Sequence, residues 1–169
     1  MALSMYQASV PVFIRMLGNL RTLIEKGSAY AEARKFDGTL LADSRLFADM
    51  FPLVRQVQIA SDAAKGCAAR LADIEAPKFE DTEKTLPEIL ARIDKTIAFL
   101  KTVKAEQIDG SETRGVTLAL RSGELKFDGQ GYLLNFALPN FYFHITTTYN
   151  ILRHNGVEIG KMDFLGRTG

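Results

Sequence analysis

The chain has 169 residues, 47% hydrophobic and 24% charged, and its 21 basic and 20 acidic side chains give a formal net charge of +1. That length suits a single domain spanning 1–169 and able to bury roughly 70% of its unfolded surface. The charges of both signs are spread along the chain, which argues against a nucleic-acid groove or a polybasic membrane surface, since both need clustered Lys and Arg. Cys67 is the lone cysteine. It excludes an internal disulfide, fits a reducing cytoplasm, and beside Gly66, Ala68 and Ala69 reads as a small buried side chain. The opening stretch "MALSMYQASVPVFIRMLGNL" has no basic residue ahead of its apolar part and no small-residue cleavage site, so no secretory leader is expected. No apolar run approaches the ~20 residues that span a bilayer.

Taken in chain order, Leu3, Tyr6, Val10, Phe13, Leu17, Leu20 and Ile24 follow the 3-4 spacing of a bundle helix. Ser4 and Gln7 have the spacing of a capping box, but Pro11 would free the carbonyl of Gln7. The helix therefore bends, or it begins near Ser9 with Pro11 in its first turn. Gly27 weakens the pattern, a turn is expected at Asp37-Gly38, and a short helical piece from Thr39. A second long helix should start between Asp49 and Pro52, with Leu53, Val57, Ala60, Ala64, Cys67 and Leu71 facing the core. "EAPKFEDTEK" reads as a polar connection. Thr85 with Glu88 then caps a third helix, Pro87 fits its first turn, and Leu86, Leu90, Ile93, Ile97 and Leu100 form its seam.

The period then switches from 3.6 to 2. "VTLALRSGELKF" alternates through Val116, Leu118 and Leu120, turns at Ser122-Gly123 and returns through Leu125 and Phe127, predicting a β-hairpin over about 115–128. A fourth helix is expected from about Gln130 to Asn155, kinked or broken at Pro139 and capped by Gly156. Phe141, Tyr142 and Phe143 point in three directions on it, so this helix should touch more than its own bundle. The tail, 157–169, reads as extended and lying over the bundle, with "RTG" mobile. Four helices with short connections and one inserted hairpin make an all-α four-helix bundle.

Both histidines, His144 and His154, lie in "NFYFHITTTYNILRHNG" on the fourth helix. Ten residues separate them by about 15 Å along the axis and about 80° around it, so they cannot share one metal ion. The position four after His144 is Thr148 and the position four before His154 is Asn150, neither a usual transition-metal ligand. No metal, cofactor or catalytic set is therefore assigned. His144, among aromatic and threonine residues, reads as a hydrogen-bonded core or interface histidine, with a pocket role still open. His154 in the last turn complements the helix C-terminus. Asn140, Tyr142 and His144, near the proline, together with Gln58 and Asp62 of the second helix, form a candidate ligand pocket between helices.

Three stretches, "DMFPLVRQVQIASDAAKG", "FALPNFYFHITTTYNILRHNG" and "VEIGKMDFLG", resemble the signature segments of an uncharacterised bacterial family, a domain of unknown function grouped with the DinB/YfiT-like four-helix bundles. The resemblance runs from "MYQASVPVF" to "DFLG". It implies a DinB-like bundle and, from the wider superfamily, homodimers formed through the helices. Catalytic members of that superfamily hold a divalent metal with one His from the second helix and a His-x-x-x-His pair from the fourth, and some activate a low-molecular-weight thiol with it. "RHNG" resembles the end of the last-helix motif and brings His154 near one ligand position, whereas Asn150 occupies the paired one. The expectation is a cytoplasmic, non-catalytic bundle that binds a small ligand or a partner as a homodimer, with no nucleic-acid or membrane partner. The alternative is a divergent metal- or thiol-dependent transferase or isomerase using His144 with Asp62 or Gln58 as ligands or general base.

Overall fold

The computed structural model describes residues 3–120 and 123–166. Four long helices carry the fold: α1 (Val10–Arg34), α3 (Leu53–Ala72), α4 (Leu86–Thr102) and α7 (Leu138–His154). Short helical pieces lie between and after them: α2 (Thr39–Ala42), α5 (Ala105–Ile108), α6 (Gly129–Tyr132) and α8 (Lys161–Leu165). Helix α1 packs chiefly on α4, with α8 and then α7 also against it, and α3 packs on α7 and α4 from the other side. The result is a four-cornered bundle with each long helix against two neighbours.

The apolar spacing accounts for the core. Val10, Phe13, Leu17, Leu20 and Ile24 of α1 are fully buried, as are Leu53, Ala60, Ala64, Cys67 and Leu71 of α3. Helix α1 starts at Val10 with Pro11 in its first turn, so the heptad positions ahead of it lie outside the helix: Leu3 is exposed and Tyr6, half-buried, packs against the core's edge. The reciprocal Ser4–Gln7 pair does form, on a separate turn before the helix. Gly27 does not end α1, which continues to Arg34. A Cβ there would meet Leu152 Cδ2 at 2.9 Å, so the glycine marks close approach of α7 rather than a break. The capping box at α4 forms as expected, with Thr85 N–H donating to Glu88 Oε2 (2.9 Å) and Glu88 N–H to Thr85 Oγ1 (3.4 Å).

Strands β1 (Val116–Leu120) and β2 (Gly123–Phe127) pair antiparallel, with Val116 opposite Phe127 and Leu120 opposite Gly123. Of the turn predicted at Ser122-Gly123, residue 122 lies outside the described residues. Val116 and Leu118 turn inward and are buried, while Thr117 and Ala119 face out. The loop before the hairpin is tied to α3, because Arg114 Nη1 donates to the carbonyl of Leu71.

Beyond the hairpin the chain is helical from Gly129 to His154 without a break at Pro139, but the α-helical ladder is interrupted directly ahead of the proline. Residues Leu133–Ala137 form a π turn in which Leu138 N–H donates five residues back, to Leu133 O. A proline removes one N–H from the ladder, and a wide turn directly ahead of it lets the helix pass that gap with ordinary helical dihedrals. Gly156, at φ 90°, ends α7 through bonds from Gly156 N–H to Arg153 O and Val157 N–H to Leu152 O. The tail lies over the bundle with Val157 and Ile159 buried. It is not extended throughout, since α8 closes it against α1 through Lys26–Asp163 and Asn19 Nδ2 donating to Phe164 O. The "RTG" end lies outside the described residues.

Candidate functional site

The sequence-predicted pocket residues separate into four neighbourhoods. His144 is buried and pairs across to α3, its Nδ1 lying 2.7 Å from Gln56 Oε1. Gln56 Nε2 donates to Phe51 O at 3.0 Å, which turns the amide so that its oxygen faces the ring. His144 Nδ1 therefore donates. Burial, and secondarily the Arg55 charge, push the His144 pKa down to about 4, so the ring is neutral near pH 7. Neither Gln58 nor Asp62 hydrogen-bonds to it. Gln58 is buried, donates to Glu83 Oε2 at 3.0 Å and accepts from Arg55. Tyr142, two residues from Asn140, points about 200° away round the helix. Burial raises its pKa, opposed by the Arg15 charge from α1.

Asp62 and Asn140 do come together. They line a cavity of about 510 Å³ with Ile59, Ala63 and Arg70 of α3, Thr117, Leu118 and Ala119 of β1, and Tyr132, Phe136 and Ala137 of the helical run. The walls are mostly apolar. Tyr132 and Phe136 stack at 6.1 Å between centroids, and Phe127 of β2 leans on both. The hairpin forms the outer lip and the π turn the floor. Asp62 Oδ1 accepts from Arg92 at 3.0 Å and from Lys65 at 3.1 Å, so the carboxylate is already engaged.

Sequence reasoning missed Arg70, Tyr132 and the hairpin's share of the wall. Arg70 Nη1 donates to the Tyr132 hydroxyl at 3.1 Å. Burial pushes that phenol up to about 12, with Cys67 adding and Arg70 opposing, so it remains uncharged. The Cys67 thiol beneath is likewise pushed up to about 12 by burial, which makes it unreactive. The usable signal was Gly66: a Cβ there would stand 2.5 Å from Arg70 Nη1, so the glycine makes room for the arginine to fold back along α3.

Among the described residues no three His, Cys, Asp or Glu side chains group as a metal site. None of their helices is long and apolar enough to cross a membrane.

Residues 5–165 match the family described as "Domain of unknown function (DUF1993)". The chain belongs to that family. It is similar to the crystal structure of a DinB family member protein from Shewanella denitrificans, with 41% identity, a TM-score of 0.89, and 96% of this chain and 92% of that one covered. No curated protein matches. The DUF1993 chain is thus a DinB-like bundle with a small hairpin ahead of its last long helix.

The His144 pairing sets a pH dependence in this DUF1993 chain. Unfolded, the imidazole titrates near 6.5, and folded near 4, so as pH falls through that window the unfolded state takes up the proton first and stability drops. Between pH 7 and pH 4.5, urea unfolding should show wild type losing roughly 2 kcal/mol more than His144→Gln. Equal pH slopes for the two proteins would exclude this assignment.

Proposed function

We propose that this DUF1993 protein is a non-catalytic small-molecule-binding bundle whose site is the groove between α3, the π turn and the hairpin. The observation that carries the reading is the groove's lining. Apolar walls enclose about 510 Å³ with a few polar heads, the usual make-up of a ligand site. The groove contains no histidine, and its carboxylate is bonded to two cations, so the set offers binding groups rather than a proton relay. Asn150 stands where the superfamily's last-helix motif would pair a second histidine with His154, which supports a degenerate version of that metal site.

The test uses N-phenyl-1-naphthylamine, a neutral dye that brightens in apolar surroundings. Wild type should bind it saturably, and Ala63→Phe, which fills the groove from α3, should weaken binding at least tenfold with the fold intact by circular dichroism. Identical titrations would refute the groove as the site.

The protein is further proposed to work as a homodimer. Phe47, Phe51 and Phe143 are 69%, 55% and 57% exposed, and the Gln56–His144 pair links the loop bearing the first two to the helix bearing the third. A net charge of +1 leaves little repulsion between copies. Light scattering after size exclusion should give twice the monomer mass for wild type and the monomer mass for Phe51→Asp with Phe143→Asp. A monomeric wild type at 100 μM would rule the dimer out.

A further inference from the structure

Arg70 has no carboxylate partner among the described residues, and its only hydrogen-bond partner there is a neutral phenol. It also lines three cavities at once, the groove and neighbours of about 290 and 340 Å³ on either side. A guanidinium carries five N–H donors in a fixed fork, and the Tyr132 hydroxyl occupies one of its nitrogens. Arg70 is exposed, and Gly66 leaves room for it to lie back along α3, so the remaining donors stand open at the groove, a cation without a carboxylate partner.

The opposite end is polar in a different way. The Asn140 amide makes no side-chain hydrogen bond among the described residues, and it sits beside Asp62. The backbones of Asp62 and Arg70 are eight residues apart on α3, roughly 12 Å along the axis, though the guanidinium lies back over Gly66 and so stands roughly 6 Å nearer to Asp62. Between the two ends lie Ile59, Ala63, Leu118 and the stacked Tyr132 and Phe136 rings.

Resting on the groove as the binding site, we infer that its ligand is an amphipathic carboxylic acid. The carboxylate seats on Arg70, an apolar or aromatic body lies along Tyr132 and Phe136, and a polar group at the far end meets Asn140. Paired N–H···O bonds from the guanidinium fork suit a carboxylate better than a neutral head, and the aromatic wall suits a flat body.

The probes are 4-phenylbutyrate and 4-phenylbutyramide, of the same shape with and without charge, followed by heteronuclear NMR on the full chain. The acid should shift the amide signals of Thr117, Leu118, Tyr132 and Phe136 and bind about tenfold or more tighter than the amide. In Arg70→Gln that advantage should vanish, and Arg70→Lys should retain only part of it, since the charge survives but the fork does not. The acid-against-amide comparison on wild type stands even if the variants fold poorly. Equal binding of the two probes in the groove would overturn the acid and leave the groove as the site. No groove shifts with either at 10 mM would overturn both.

Discussion

Arg92→Ala should be among the most destabilising single substitutions in this protein, by about 3–5 kcal/mol. Its side chain has no exposure although it carries a full charge, and three carboxylates surround it: Asp62 at 3.0 Å, Asp81 at 3.0 Å and Glu83 at 3.1 Å. It also donates to Glu80 O at 3.1 Å, and the Phe79 ring is ringed by Lys65, Lys95 and Arg92 at 4.2, 4.5 and 5.9 Å. Arg92 is thereby the central tie of the 73–85 connection to α3 and α4, with Arg55, Gln58 and Lys95 adding bonds to Asp81 and Glu83 around it. Burial alone pushes the Glu83 carboxyl up, but its backbone bond, Gln58 and Arg92 outweigh this and hold it below the usual carboxylate range.

Without Arg92 the Glu83 carboxylate, only 7% exposed, keeps the desolvation and retains only the more distant Lys95, at 3.5 Å, as counter-charge. In wild type its contribution is present above the unfolded carboxylate pKa and fades as pH falls through the lower folded value. In the variant, protonation relieves the buried charge, so the gap between the two proteins should narrow on going from pH 7 to pH 4. Thermal melts should place the variant roughly 10 °C or more below wild type at pH 7. Asp81→Asn, which alters a partly exposed partner, should cost no more than about 1 kcal/mol. A melting loss under 3 °C for Arg92→Ala would show that the cluster is ornamental.

Gly129→Ala should be the second severe change, at about 1–3 kcal/mol or more. Gly129 opens α6 under the N-cap of Asp128, and an added Cβ would overlap the backbone oxygen of Ser111 outright and stand 3.0 Å from its carbonyl carbon. Backbone atoms cannot rotate away, so the loop from 109 to 115 or the start of the helical run must move. Both carry the groove, one through the hairpin and the other through Tyr132 and Phe136. The substitution should therefore lower the melting temperature by about 5 °C or more and weaken dye binding together. Gly18→Ala is the control: nothing lies within 4 Å of its added Cβ, and a helix interior favours Ala over Gly by roughly 0.5–1 kcal/mol. If the two alanine variants melt alike, the steric account of Gly129 fails.

Much of the bundle was legible because burial follows local periodicity. Val10 to Ile24, Leu53 to Leu71 and the Thr85–Glu88 cap needed nothing beyond spacing and capping chemistry. Misreadings arose wherever a distant partner decides the local outcome. Gly27 weakened the helical pattern because its cause, Leu152, lies more than a hundred residues away. Arg92, which the spacing of helix α4 does not single out, is buried only once the 73–85 connection folds over it. In the candidate site, Asp62 and Asn140 were reachable from helical geometry. Their companion Arg70 was not, because its pairing with Tyr132 depends on a wide turn that has no periodic signature. The fourth helix was read as a single α-helical period, which cannot place residues on both sides of a π turn.

That turn amounts to a helix holding one residue more than its α-helical period accommodates. Tyr132, ahead of it, is consequently out of phase by about 100° with Asn140 and His144 behind it. Removing one residue between 133 and 137 would bring the halves back into step, carrying the phenol off Arg70 while leaving the Gln56–His144 latch in place. A length change of a single codon thus retunes one wall of the groove without touching the bundle that holds it.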